Sequence, residues 1–350
     1  MKSKRIFISD VHLGVGLASD WFQTAKHEPH LLTMLKWIEN SADEVKDLVL
    51  LGDLVDRWMC PIDQVPPTTA EIWQHQVKFV AAIQNCLRAG VNVMYVNGNH
   101  DMDLSAADLA PLSVDVDGGT RRVEWIQQYN GGLLYAEHGS RFAMFNAPDR
   151  MHDPASGFPI GYFITRILAG DDGYTRPGSI VRFVDDLLEA AFTTQTIASS
   201  VLEALMEHRG LTAATLVKMP DGRPDVALGV VKERYANLFD RWVEKFGHRY
   251  ALQAVMGDMG NLGWFADRLC VKEGYRVVVL GHTHDSKYDV DRVLVKNGPR
   301  IYVNSGYWCP NHDDAPTFVE VDKLSDRYDV RLKKVKANGT TEDVEFESIS

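Results

Sequence analysis

Five short apolar runs in this chain each stop at a cluster of Asp, His, Asn and Gly. Residues 5–9 lead into Asp10-Val11-His12, and residues 48–51 into Gly52-Asp53. Residues 91–96 lead into Asn97-Gly98-Asn99-His100-Asp101. Residues 132–136 lead into Glu137-His138-Gly139, and residues 276–280 into Gly281-His282-Thr283-His284. Unbroken apolar runs of this length read as strands buried on both faces. Helical spacing fills the gaps between the first three. Leu31, Leu35 and Ile38 fall at i, i+4 and i+7, while Ile72, Phe79, Ile83 and Leu87 mark one helix over 71–89, stopped by Gly90. Strand, helix, strand, helix, strand is an α/β pattern. In such sheets ligand sites form beyond the carboxyl ends of the strands, where these polar clusters fall.

The middle of the chain has a different texture. From residue 140 to about 265 the pattern is mostly helical, with helical stretches over 183–209 and 231–246. Two apolar faces stand out there: Phe158, Tyr162, Phe163, Ile167 and Leu168, and then Phe183, Leu187, Leu188 and Phe192. They are expected to pack on each other and on the α/β framework; a groove for an acyl chain or a nucleobase is the sharper reading. Beyond this region residues 301–304 make another strand, ending in Ser305-Gly306, and 318–321 and 328–335 make a hairpin. After Lys336 the polar composition predicts a frayed tail. The expected organisation is a core of residues 1–140 and 266–340, with 141–265 as an inserted, mainly helical cap.

Composition narrows the function. Lys and Arg number 37 against 48 Asp and Glu, a net charge of −11 over 350 residues. A broadly acidic surface repels a phosphate backbone, so nucleic acid is not an expected partner. The region 140–265 holds 13 basic and 15 acidic residues and offers no basic patch. Cys60, Cys86, Cys270 and Cys309 have no zinc-like spacing and read as reduced thiols. The first apolar stretch, Ile6-Phe7-Ile8, is too short for a signal-peptide core, and no run approaches the ~18 apolar residues of a spanning helix. A cytoplasmic location is expected, with peripheral membrane contact left open and the oligomeric state unread.

The strand-end residues Asp10, His12, Asp53, Asn99, His138, His282 and His284 supply four imidazoles, two carboxylates and one amide carbonyl. That mixture suits borderline or hard divalent metals, and it is enough for two ions if one carboxylate is shared. Two ions about 3.5–4 Å apart can clamp phosphate oxygens and acidify a water between them. The remaining histidines, among them His27, His152 and His312, read as packing or surface residues.

Asp10-Val11-His12, Gly52-Asp53-Leu54-Val55-Asp56, Gly98-Asn99-His100-Asp101, His138-Gly139 and Gly281-His282-Thr283-His284 resemble the five ordered blocks of the calcineurin-like metallophosphoesterases. The resemblance covers roughly residues 5–140 and 270–335. It implies a four-layer α/β/β/α sandwich carrying the inserted helical cap. It also implies that Asp10, His12 and His284 hold one metal, that Asn99, His138 and His282 hold a second, and that Asp53 bridges them. A hydroxide between the ions would attack phosphorus in line. His100 would serve the leaving oxygen, and Asp56 would hydrogen-bond His100 and raise its pKa. Asn304, Ser305 and Gly306 would brace the ligands from behind. Manganese is the expected ion; iron, zinc, nickel and magnesium also suit the donors.

The expected reaction is hydrolysis of a phosphodiester or pyrophosphate bond in a small phosphorylated substrate. Part of the pattern is similar to the UDP-2,3-diacylglucosamine hydrolases, which also carry a helical insertion but have Arg where this chain has His100. A phosphomonoesterase or a nuclease of the same family is the alternative. A binding scaffold that has lost its chemistry is disfavoured because no donor is missing. Arg141, directly after the His138 block, is a candidate fork for a substrate phosphate. A salt bridge to an acid such as Asp149 is the competing reading. Trp21, Phe22 and Lys26 follow the first block in a loop that could approach substrate.

Overall fold

A computed structural model describes residues 2–151, 157–170, 197–291, 299–309, 315–336 and 340–349. Strands β1 (Lys4–Ile8), β2 (Val45–Leu51) and β3 (Asn92–Val96) lie side by side in parallel, joined by helix α1 (Thr24–Asn40) and the pair α2 (Thr69–His75) and α3 (Val77–Arg88). Short strands follow: β4 (Val114–Val116), β5 (Gly119–Arg121), β6 (Glu124–Trp125), β7 (Tyr129–Asn130) and β8 (Leu134–Ala136). Next come α4 (Ile160–Leu168), α5 (Ile197–His208), β9 (Leu216–Val217), β10 (Val226–Ala227), α6 (Leu228–Tyr235), α7 (Leu238–Phe246), α8 (His248–Asp258) and α9 (Gly263–Glu273). The chain ends with β11 (Val277–Leu280), β12 (Lys287–Asp291), β13 (Arg300–Asn304), β14 (Thr317–Lys323), β15 (Tyr328–Val335) and β16 (Thr341–Ile349).

Two sheets stack face to face. One has the order β16-β15-β14-β1-β2-β3-β6 and the other β12-β13-β11-β8-β7. The apolar runs explain the layering. Phe7, Val49, Leu51 and Val96 point into the space between the sheets and meet Leu134, Val277, Val279, Ile301 and Val303 of the second sheet. Their neighbours Ile6, Ile8, Leu48 and Leu50 point the other way, into a core shared with Leu31, Leu35 and Ile38 of α1 and with Phe79 and Ile83 of α3. Each strand is therefore buried on both faces, which is why it carries no polar alternation. On the far side Val278, Leu280 and Tyr302 share that core with Phe265 and Leu269 of α9. The result is the expected α/β/β/α sandwich.

The boundaries differ from expectation at instructive points. The single helix expected over 71–89 is two helices, broken at Gln76, which is buried and donates its side-chain N–H to the Gly14 carbonyl at 2.8 Å. A tether to the loop beyond β1 overrides a continuous apolar period. The helix expected over 231–246 is likewise two, α6 and α7, and 183–196, with Phe183, Leu187, Leu188 and Phe192, lies outside the described residues. The frayed tail expected after Lys336 is instead the outermost strand β16, paired along β15, so the sheet runs past residue 340. Its polar sequence reflects its place at the sheet edge. Asp343 meets Lys333 at 2.6 Å and Glu342 meets Lys336 at 2.6 Å, so cross-strand ion pairs replace apolar contacts. All four cysteines are buried free thiols, as expected. Among the described residues no helix is long and apolar enough to cross a membrane.

The segment between β8 and β11 packs on the sandwich through Arg166. Every residue of α4 is buried, and Arg166 is fully so. Its Nε donates to the Cys60 carbonyl. The remaining N–H groups reach the Pro61, Gln64 and Lys218 carbonyls at 2.8, 2.6 and 2.8 Å and the Tyr162 hydroxyl at 2.5 Å. The guanidinium thereby stitches α4 to the loop that follows β2. Arg166→Met should strand several buried acceptors at about 1–3 kcal/mol each. The unfolding free energy from a denaturant titration is expected to fall by about 3 kcal/mol or more; a change under about 0.5 kcal/mol would contradict the stitch.

Candidate metal centre

The polar clusters meet at one end of the sandwich because parallel strands deliver their carboxyl ends together. The loops after β1 and β2 continue each other's pairing in irregular form. The N–H groups of Asp10, His12 and Leu13 donate to the carbonyls of Gly52, Asp53 and Leu54 at 3.1, 2.9 and 2.8 Å. This zip sets Asp10, His12 and Asp53 against one another. Asp10 (φ 55°), His12 (φ 55°), Asp53 (φ 50°), His282 (φ 73°) and His284 (φ 56°) are all left-handed, and only Asp221 joins them among the described non-glycine residues. Such backbone costs about 1–3 kcal/mol per residue and persists where the surroundings over-determine it. Gly98 makes room in the third loop: a Cβ there would lie 2.1 Å from Asp53 Oδ1.

The structure brings all seven candidate donors together. His12 Nε2 lies 3.1 Å from His284 Nε2, and His284 Nε2 lies 3.3 Å from Asp10 Oδ1. His138 Nε2 lies 3.2 Å from both Asp53 Oδ2 and Asn99 Oδ1. Ligand atoms of Asp10, His12, Asp53 and His284 fall within 4.8 Å of one another, as do those of Asp53, His138 and His282. Asp53 belongs to both groups.

Tautomers make the cluster electron-rich. The Leu51 carbonyl can only accept, so His138 Nδ1 must carry the proton it donates there at 3.0 Å. Its Nε2 faces the two oxygens, holding a proton shared with them or, in the neutral ring, a lone pair free for a cation. In the same way His12 gives Nδ1–H to Asp56 Oδ2 at 3.0 Å and turns a bare Nε2 toward the cluster. Such convergence of lone pairs is relieved by a cation, and imidazole, carboxylate and amide oxygen are donors that borderline divalent ions accept. The residues present therefore fit two metal ions. Without a cation, a proton does part of this work. Burial alone would push His138 down, but Asp53 and Asp10 outweigh it and hold the ring up at about 10. Burial, with His138 beside it, drives His282 down to about 3.

His100 sits next to this cluster. Its Nδ1 is 2.9 Å from Asp56 Oδ1, its backbone N–H donates to Asp53 Oδ1 at 2.8 Å, and its ring stacks on Trp58 at 4.5 Å. Burial disfavours its charged form, but Asp56 and Asp53 outweigh burial and raise its pKa. Asp56 also accepts the N–H groups of Trp58 and Met59 at 2.8 and 2.9 Å, and the two histidines hold it well below the usual carboxylate range against the cost of burial. Trp21 packs edge-on against His12 at 4.7 Å and, with His100, Asn146, Asp258 and Thr283, lines a cleft of about 720 Å³ over the donors.

The strand-end turn after β13 behaves as expected. Asn304 Nδ2 donates to the Gly281 carbonyl at 2.7 Å, and the Ser305 and Ser9 hydroxyls are 2.6 Å apart. Arg141 forms a salt bridge to an acidic neighbour, the competing reading, with Glu137 in the place of Asp149: its Nε donates to Glu137 at 2.6 Å, and Asp149 lies 3.7 Å from Arg241. Arg141 also donates to the Tyr135 hydroxyl at 3.1 Å and lines a separate cleft with Trp242 and Lys245, so its fork is engaged away from the donor cluster. His152 and His312 lie outside the described residues.

Asp101, within the third block, has a role that its residue type and place in the sequence do not disclose. Fully buried, it accepts from Gly98 N–H at 2.6 Å, from Leu54 N–H at 2.8 Å and from the Tyr95 hydroxyl, clamping the second and third loops together. Burial, with Asp53 nearby, pushes its carboxyl up to about 7. Its position inside the third block signals that it matters, not what it does. Asn146 and Asp258 carry no comparable signal.

A family model, calcineurin-like phosphoesterase, matches residues 3–286. Comparison with curated proteins gave no match. Among solved structures, a dimetal phosphatase from Danio rerio is 11% identical with a TM-score of 0.37, over 99% of this chain and 98% of that one. A predicted phosphoesterase from Streptococcus pneumoniae TIGR4 is 10% identical at a TM-score of 0.32, over 100% and 98%. Vps29 from Chaetomium thermophilum is 10% identical at 0.34, over 99% and 95%. These three likenesses carry no argument about chemistry. The family match runs from the first buried strand past His284, and on that ground the chain belongs to the calcineurin-like phosphoesterases and is a metal-dependent phosphoesterase.

Proposed function

We propose that this protein hydrolyses a phosphodiester or pyrophosphate bond in a small phosphorylated substrate, using two divalent ions, with manganese the first choice. The observation that carries the reading is the convergence of imidazole Nε2 atoms with carboxylate and amide oxygens at one end of the sandwich. Asp10, His12 and His284 would hold one ion, and Asn99, His138 and His282 the other. Asp53, which stands in both groups of donors, would be shared. When bound, such ions offset phosphate charge and lower the pKa of a coordinated water.

The chain's own residues divide the remaining work. The Leu51 carbonyl and Asp56 fix the tautomers of His138 and His12, so both present lone pairs inward. His100, held by Asp56 on one nitrogen and by Trp58 on its face, would keep its other nitrogen protonated for the leaving oxygen. Trp21 and the residues around Asn146 would limit water in the cleft. We assign residues 141–265 to a cap over that cleft and residues on either side to the catalytic core; a cytoplasmic location fits the free thiols.

Asp53→Asn should abolish turnover of bis-p-nitrophenyl phosphate and lower metal occupancy at both positions, read by elemental analysis after dialysis. Two tightly bound ions in that variant would make the shared ligand wrong. His100→Asn should reduce turnover by roughly 10²–10⁴-fold while metal content stays at the wild-type level. Loss of an ion instead would make His100 a ligand. With manganese added, the wild-type chain should turn over diesters and pyrophosphates faster than p-nitrophenyl phosphate. A preference for the monoester would overturn the proposed bond type and leave the metal chemistry in place.

A further inference from the structure

Asn99 differs from the other six donors. A carboxylate offers lone pairs on either oxygen and an imidazole can move its proton between its nitrogens, but a side-chain amide has one end that binds a cation and one that repels it. Its orientation must be set from outside the cluster. Here Asn99 Nδ2 donates to Asn146 Oδ1 at 3.3 Å, which leaves Asn99 Oδ1 beside His138 Nε2.

Asn146 faces the same ambiguity, and Asp258 resolves it. Asn146 Nδ2 donates to Asp258 Oδ1 at 3.0 Å, while Asp258 Oδ2 accepts the Phe145 backbone N–H at 2.9 Å. A reversed Asn146 would set its N–H₂ against that of Asn99 and, once Asp258 ionises, its oxygen against the Asp258 oxygen; burial pushes that carboxyl up to about 8. The relay is closely packed: a Cβ on Gly161 of α4 would lie 2.5 Å from Asn146 Oδ1 and 2.8 Å from the Phe145 carbonyl. That carbonyl accepts the Gly161 N–H at 2.8 Å. Asn146 follows the turn at Ser140–Phe142 and Asp258 ends α8, so both come from the segment between β8 and β11.

We infer that Asn146 and Asp258 are positioning residues that hold the Asn99 amide oxygen toward the second metal position, so that the segment between β8 and β11 completes that position. The inference rests on the proposed ligand role of Asn99.

The test titrates the metal-free full-length chain with Mn²⁺ by calorimetry and counts bound metal after dialysis. Asn146→Leu should weaken one of the two positions by roughly 10–100-fold and leave the other unchanged, with the thermal midpoint of the metal-free protein preserved. Asn146→Asp keeps an acceptor for Asn99 Nδ2 and should recover part of the lost affinity; loss of one position alone in the similarly sized Leu variant is what a packing role would not predict. Asn99→Ala should lose the same position outright. If Asn99→Ala loses a position but Asn146→Leu binds both ions as the wild type does, the relay is wrong and the metal centre stands. If Asn99→Ala itself keeps both ions at wild-type affinity, the ligand assignment falls. Should Asn146→Leu fail to fold, Asp258→Asn carries the same comparison, since the introduced amide cannot accept from both Asn146 and Phe145 without setting N–H₂ against a donor.

Discussion

The interaction on which this structure turns is the convergence of acceptors on one point that a proton or a cation must occupy. The His138 ring is pinned by the Leu51 carbonyl so that its Nε2 faces Asp53 and Asn99, two groups with lone pairs of their own. His12 is turned inward in the same manner by Asp56. Nothing in local propensity favours such crowding, and buried carboxylates are costly without partners. The arrangement persists because the sandwich holds it in place and because a proton on His138, or a cation in its stead, offsets the crowding.

The rest of the fold serves that crowding. Strands buried on both faces bring their ends to one edge, and the loops after β1 and β2 pair with each other beyond the regular sheet. Left-handed backbone at Asp10, His12, Asp53, His282 and His284 aims the side chains inward. Asp101 then clamps two of the loops from behind. His100 draws on the same framework: Asp56 holds it together with His12, so His100 and one group of donors share a carboxylate. A change at Asp56 would therefore reach both.

Much of this was legible in the sequence, for a physical reason. A strand buried on both faces must be apolar throughout, so the abrupt switch from Ile8 to Asp10, or from Leu280 to His282, marks where the chain leaves the core. The donors sit at those switches, and their residue types disclose the chemistry. What stayed hidden depends on distant partners. The break at Gln76 comes from a hydrogen bond to Gly14, far away in sequence. The edge strand β16 looks like a polar tail until its acids meet Lys333 and Lys336. Arg141 lies beside a donor in sequence, yet its nearest acid is Glu137, one helical turn away in number and outside the cleft. Asn146 and Asp258 belong to no pattern: Asn146 accepts from Asn99 and Asp258 accepts from Asn146, contacts that only the fold creates.

The central claim is that seven side chains from five strand ends enclose two metal positions. Crystals of the full chain soaked in Mn²⁺ and measured at the manganese absorption edge test it most directly. The account predicts two anomalous peaks among Asp10, His12, Asp53, Asn99, His138, His282 and His284, roughly 3.5–4 Å apart, with Asp53 between them. A map without a peak in that cluster, or with peaks only elsewhere on the surface, would contradict it.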